Sequence, residues 1–216
     1  MKVGILGSGS VGKTLGLGFT TLGHEVMMGS REPERDDVTE WRKKTGGKGK
    51  SGTFTNAAIF GEIAILATAW SGTQNAIRIA KPENLAGKVV IDTTNPLDFS
   101  GPGKPPTLAV AGSDSAGERV QQWIPQGRVV KAFNHVGNTH MFRPQFPGGP
   151  PDMFIAGNDD AAKLEVGKVL EAFGWPKPID LGGIAASRYI EPLAMVWILH
   201  YFQTGNGGHA FKLLRQ

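Results

Sequence analysis

Residues 2–31, KVGILGSGSVGKTLGLGFTTLGHEVMMGSR, decide the fold. Lys2–Leu6 is a short apolar run of strand length, and Gly7, Gly9 and Gly12 follow at once. Val11, Leu15, Phe19 and Leu22 then recur at helical spacing, and Gly23 ends that helix with the residue that most readily takes a left-handed turn. His24–Met28 reads as a second strand. Strand, glycine turn, helix and strand in this order form a βαβ unit. It aims backbone N–H groups and the positive end of a helix at one point, where an anion is welcome.

The turn fits two phosphate motifs. Gly7-x-Gly9-x-x-Gly12 is the dinucleotide fingerprint, and Gly7-x4-Gly12-Lys13-Thr14 is also a literal Walker A loop. Val89–Asp92, an apolar strand ending in an acid, supports the nucleoside-triphosphate reading, because such an acid helps to hold magnesium. Gly9 speaks for the dinucleotide, since only there must backbone approach a diphosphate at that position. The second strand ends at Gly29-Ser30-Arg31, where a doubly wound sheet meets the adenosine ribose. An acid there would accept the 2′-hydroxyl of NAD, whereas a hydroxyl and a guanidinium suit the 2′-phosphate of NADP. Arg35 lies one helical turn further on, and Glu32 would oppose a phosphate if it pointed inward.

The same rhythm continues outward. Glu62–Thr68, Lys88–Thr93, Val129–Phe133, Met153–Ala156 and Pro178–Leu181 read as strands. Arg35–Thr45, with Trp41 as its apolar contact, Thr73–Ala80 and Asp160–Phe173 read as helices. The expected architecture is α/β, a Rossmann doubly wound parallel sheet with helices on both faces. Residues 1–181 would form the NADP-binding domain and 182–216 a short C-terminal helical extension in the same compact unit. In that extension Ser187–Phe202 is apolar nearly all round, which predicts burial or half of a homodimer interface. Two Pro/Gly-rich stretches stand apart, Ser100–Gly112 and Arg143–Pro151, and the second is a candidate lid.

Composition narrows the function. At 216 residues the chain suits one domain with a small appendage. Its 31 glycines are about twice the usual share, which fits backbone approaching a ligand. There is no cysteine, so disulfides, thiolate nucleophiles and iron–sulfur clusters are excluded, and a reducing, cytoplasmic setting is expected. No apolar run is long enough to span a membrane. The net charge of +4 permits an anionic ligand, but the basic cluster around Lys43 lacks the interleaved aromatics of a nucleic-acid binder. His135 and His140 have no partner acids, so no metal site is expected.

Ligands of such sheets lie across the carboxyl ends of the strands. The walls of the nicotinamide end would therefore be Thr68–Gly72, with Ala69 and Trp70; Thr94–Leu97, with Asn95 and Pro96; and Asn134–Thr139. Trp70 and Phe133 could flank the rings, and His135 is the candidate proton shuttle.

The segments KVGILGSGSVGKTLGLGFTTLGHEVMMGSR, VVKAFN, DMFIAGNDDAAK and DLGGIAASRYIEPLAMVWILHYF together resemble the small NADP oxidoreductases related to the deazaflavin-dependent enzyme. The NADPH-binding domain of the transmembrane ferric reductases is similar. The resemblance implies hydride exchange between NADP(H) and a deazaflavin or flavin acceptor. It places the cofactor loop on Ser8, Gly9, Ser10 and Val11, and the 2′-phosphate site on Ser30 and Arg31 with Arg35 a turn later. Where the deazaflavin enzyme has a histidine near the nicotinamide, this chain has Asn134, with His135 displaced by one. A P-loop NTPase and a non-catalytic NADPH sensor are the competing readings.

Overall fold

A computed structural model of the protein describes residues 1–99, 101 and 103–214. Ser100 and Pro102 of the first Pro/Gly-rich stretch, and Arg215 and Gln216 of the extension, lie outside the described residues. The chain runs through β1 (Lys2–Leu6), α1 (Ser10–Thr21), β2 (Glu25–Gly29), α2 (Asp36–Lys44), β3 (Gly49–Gly52), α3 (Phe54–Phe60), β4 (Ile63–Leu66), α4 (Trp70–Ala80) and β5 (Val89–Asp92). A small hairpin, β6 (Leu97–Asp98) with β7 (Thr107–Leu108), leads to α5 (Ala116–Trp123) and β8 (Arg128–Lys131). The chain then continues through β9 (Phe154–Gly157), α6 (Asp160–Ala172), β10 (Ile179–Asp180) and α7 (Ser187–Thr204).

Eight strands form one sheet in the order β3-β2-β1-β4-β5-β8-β9-β10. The side chains alternate between its two faces, as the pleat requires. Val3, Ile5, Ile65, Ile91 and Val130 pack with α1, α2 and α6 through Leu15, Phe19, Trp41 and Leu170. Leu6, Leu66, Val90 and Val129 pack on the opposite face with α3, α4 and α5 through Ala57, Ile77 and Val120. The result is the expected helix–sheet–helix sandwich. Its two halves meet at β1 and β4, which is where such folds open a crevice.

The sheet departs from an all-parallel one at a single pairing. β9 runs antiparallel to β8, with Val130 opposite Gly157 and Lys131 opposite Ala156. A parallel neighbour needs a crossover that carries the chain back to the start of the sheet. The connection from Ala132 to Met153 holds only one 3₁₀ turn, Asn138–His140, so the chain turns straight back down. No described helix is long and apolar enough to cross a membrane.

Candidate active site

The glycine turn separates positions that the protein's own packing demands from one that it does not. Gly7 sits at φ +131, and a Cβ there would lie 2.2 Å from the Ala67 carbonyl oxygen. At Gly12 a Cβ would lie 2.2 Å from the Gly7 carbonyl oxygen, so α1 closes on the turn only without a side chain. Gly9 is different: a Cβ there would meet nothing within 4 Å. That open room lies at the N-cap of α1, which has no side-chain cap and no acid in its first turn. Orphan N–H groups and the positive end of the helix dipole face a space kept free of protein atoms. A diphosphate fits that space by charge and by donor chemistry.

At the end of β2, Ser30 is buried and its Oγ accepts from Ser8 Oγ at 3.1 Å and from the Glu32 N–H at 3.2 Å. Ser30, Arg31, Glu32 and Arg35 line a cavity of about 380 Å³ together with Ser8 and Gly9. Arg31 is exposed at its mouth. Arg35 is held by Asp37, with Nη2 to Oδ2 at 2.9 Å and a second bond from Nε. Lys13 Nζ donates to the same carboxylate. The guanidinium and ammonium keep Asp37 well below the usual carboxylate range, and Asp37 in turn raises the pKa of Arg35.

The nucleoside-triphosphate reading loses both of its polar groups here. Its lysine, Lys13, pairs with Asp37 on α2 and lines neither part of the crevice. Its supposed magnesium acid, Asp92, is fully buried against Lys131 at 2.7 Å. Neither group is placed to serve a triphosphate or its metal.

A second cavity, of about 340 Å³, adjoins the first and shares Gly9, Ala67, Thr68, Ala69 and Ser71 with it. Its other walls are Ser10, Val11, Trp70, Thr93, Thr94, Asn95, Leu97 and Phe99. None of these described lining residues is ionisable at neutral pH. Trp70 is half-buried and stacks on Trp123 at 5.5 Å, which fixes its ring against α5. The Pro96 carbonyl accepts from the Ala109 N–H at 2.7 Å and so anchors the base of the hairpin. Phe99, on that hairpin, is 67% exposed beside the cavity. Neither the hairpin nor Phe99 stood out in the sequence, where the Pro/Gly-rich run conceals a two-residue strand.

Asn95 lines the crevice, and Asn134 does not. The two amides are joined reciprocally, Asn95 Nδ2 to the Asn134 carbonyl at 2.7 Å and Asn134 Nδ2 to Asn95 Oδ1 at 2.8 Å. Asn134 is therefore tied to Asn95 behind the lining. His135 requires a larger correction. Its ring is 2% exposed and lies against Phe154 and Phe211, and its Nε2 accepts from the Phe154 N–H at 3.1 Å. Burial lowers its pKa to about 4, so it is a neutral core group and not a proton shuttle. Phe133 is likewise core, packed against Phe173 and Trp175.

The loop 143–151 is tied down along its length. The Arg143 N–H donates to the Phe173 carbonyl at 2.7 Å, and Lys212 reaches the Gly148 carbonyl at 3.4 Å. At its far end Asp152 exchanges bonds with Phe211 and Leu213 of the C-terminal tail. These bonds fasten the stretch expected as a lid to α6's end and to the C-terminal tail.

A doubly wound sheet whose first turn leaves an uncapped helix end over open room, continuous with a charge-free cavity at the strand ends, defines a dinucleotide-dependent oxidoreductase. Residues 2–96 match the family described as "NADP oxidoreductase coenzyme F420-dependent". The F420-dependent NADP reductase of Methanothermobacter marburgensis is 30% identical over 206 residues, covering 92% of this chain and 91% of that protein. The chain belongs to this family. A solved structure from Arthrobacter sp. FB24, assigned as an F420-dependent NADP reductase, superposes with a TM-score of 0.93 at 37% identity, with all of both chains covered. The metalloreductase STEAP3 of Rattus norvegicus is 27% identical over 197 residues; the match covers 90% of this chain and 36% of that longer protein.

Proposed function

We propose that this protein moves a hydride between NADP(H) and a deazaflavin coenzyme of the F420 type. The observation that carries the reading is the open room above Gly9, at the bare N-terminus of α1 and in one crevice with Ser30 and Arg31. In this reading Ser8, Gly9, Ser10 and Val11 hold the diphosphate, with Gly7 and Gly12 shaping the turn. Ser30 and Arg31 bind the 2′-phosphate, and Arg35 joins them by exchanging Asp37 for it. Ala69, Trp70 and Asn95 wall the nicotinamide end, while Pro96, outside the lining, anchors the hairpin behind it.

When bound, the nicotinamide supplies or accepts the hydride. The chain's own part is to stack two flat rings and exclude water between them. Val11, Trp70, Leu97 and Phe99 give the second cavity the apolar faces for that task. With His135 buried and no ionisable side chain on the described lining, the accompanying proton is exchanged with solvent at the open mouth. Family membership supports the deazaflavin as acceptor, and a flavin or a ferric chelate is the alternative to be tested.

The second half of α7 supports a homodimer in the same reading. Its buried residues end at Ala194, while Val196, Leu199 and Phe202 are exposed. Val196→Glu should then yield a monomer in sedimentation.

The test of function is a fluorescence titration with NADPH and with ATP–magnesium, followed by turnover with F420, FMN, FAD and a ferric chelate, watched at the nicotinamide absorbance. NADPH binding without response to ATP, and turnover with F420 above the other acceptors, is the expected result. Binding without turnover with any acceptor would make the protein a sensor.

A further inference from the structure

Behind the nicotinamide end lies a buried group of charges that hydride transfer does not touch. Lys131, at the end of β8, has no exposed surface; its ammonium forms ion pairs with Asp92 Oδ2 at 2.7 Å and Glu191 Oε1 at 2.9 Å and donates to the Thr94 carbonyl at 2.7 Å. Asp92 Oδ1 accepts from the Thr94 N–H at 2.9 Å and from Thr94 Oγ1 at 2.7 Å. All three polar groups of Thr94 are therefore bound by this one pair. Thr94 and the next residue, Asn95, both line the crevice. Glu191, on α7, also accepts from the Ala116 and Gly117 N–H groups at 2.9 Å each, at the first turn of α5. Two carboxylates against one ammonium leave a surplus negative charge, and the positive end of α5 meets it.

Charges this deep do not raise stability above what an apolar trio of equal volume would give. What they do provide is direction, because the three bonds to Thr94 and the two from the start of α5 each have a preferred angle and are strengthened in a medium of low dielectric. Burial opposes the ammonium of Lys131, but Asp92 and Glu191 outweigh it and raise its pKa, so the group stays charged and the geometry holds.

We propose that Lys131, Asp92 and Glu191 form a positioning device that sets the Thr94–Asn95 wall against the nicotinamide, and that through Glu191 the C-terminal helix is part of the active site's support. This inference rests on the reading that the nicotinamide occupies the Asn95 end of the crevice.

The test compares two ligands on the purified wild-type chain and on Glu191→Gln. One ligand is NADPH; the other is 2′-phospho-ADP-ribose, which ends before the nicotinamide. Calorimetry gives both affinities, and turnover with F420 gives kcat and KM. The expected result is an unchanged affinity for the fragment and an NADPH affinity weaker by about tenfold, the scale of one lost hydrogen bond. With it, kcat should fall by about a hundredfold, as for a displaced reacting group, while the KM for F420 holds. Equal weakening of both ligands, or no change in either, overturns the proposal. Should Glu191→Gln fail to fold, Thr94→Val carries the same comparison, since it removes one hydroxyl bond and leaves every charge paired. A wild-type chain that binds the fragment but gains nothing from the nicotinamide would instead sink the functional reading.

Discussion

The two ends of the crevice are built on opposite principles. At the adenosine end the charged groups face water: Arg31 is exposed, and Arg35 and Asp37 have side chains 46% and 43% exposed. Arg35 and Asp37 hold one another in a pair that a ligand can exchange. At the nicotinamide end the described lining carries no charge, and the charges behind it are sealed at 0–2% exposure. Exposed pairs in water are weak and sensitive to salt, so they can be traded for a phosphate at little cost. Buried pairs cannot be traded, and they hold geometry instead. In the proposed reading, one end selects the cofactor and the other aims it.

The sharpest way to break that contrast is Lys131→Met. Leaving Asp92 and Glu191 buried without their cation should cost about 3–5 kcal/mol of folding stability, read by denaturant unfolding. A loss below about 1 kcal/mol, the scale of an exposed pair, would mean the cluster behaves like the surface ones.

Next comes pH. The His135 imidazole titrates near 4 in the folded chain and near 6.5 when unfolded. Acid therefore protonates the unfolded chain first. The stabilising contribution is complete above pH 6.5 and is lost as the pH falls toward 4, by about 3 kcal/mol. His135→Gln keeps an acceptor for the Phe154 N–H and should remove this part of the acid sensitivity, measured as the difference in melting temperature between pH 7 and pH 4.5.

Gly9→Val sharpens the comparison at the hinge between the two ends. The new side chain enters open space, so stability should stay within about 0.5 kcal/mol of wild type. NADPH binding should nonetheless fall by about a hundredfold or more, because the valine occupies the place of the diphosphate and blocks its charge-assisted bonds. Retained binding would show that the room above Gly9 has no ligand. The smallest effect belongs to the exposed end. Arg31→Ala should weaken NADPH by about tenfold, more at low salt, and leave NADH unchanged. An equal loss for both cofactors would make Arg31 structural.

Much of the fold was legible because its signals are local. The expected strand Lys2–Leu6 coincides with β1, and α6 ends one residue short of the helix expected from its periodicity. Two missed helices had readable starts. Thr53 and Asn56 form a capping box before α3, and Ser115 accepts from the Glu118 N–H before α5. The edge strand β3 was not readable, since GKSG has no strand-forming side chain and exists only by pairing with β2. The antiparallel β9 was also hidden, because direction is set by where the connecting chain runs and not by the strand's own residues. In the site, Ser30, Arg31, Trp70 and Asn95 were found in the crevice where the strand ends put them. The burial of His135 is not legible, because a histidine beside a strand end looks the same in sequence whether its ring faces a ligand or the core.

Local sequence is enough to specify the glycine turn, the helix behind it and the hydroxyl–guanidinium pair at the second strand's end. These depend on backbone conformation and side-chain chemistry within a few residues, which neighbours in the chain already specify. Long-range packing settled which charges are buried together, that Asp37 takes both Lys13 and Arg35, and that a glutamate from the last helix joins Lys131 and Asp92 behind Thr94. Those outcomes depend on which surfaces lose water when distant elements pack. A charge has no fixed partner until that packing chooses one.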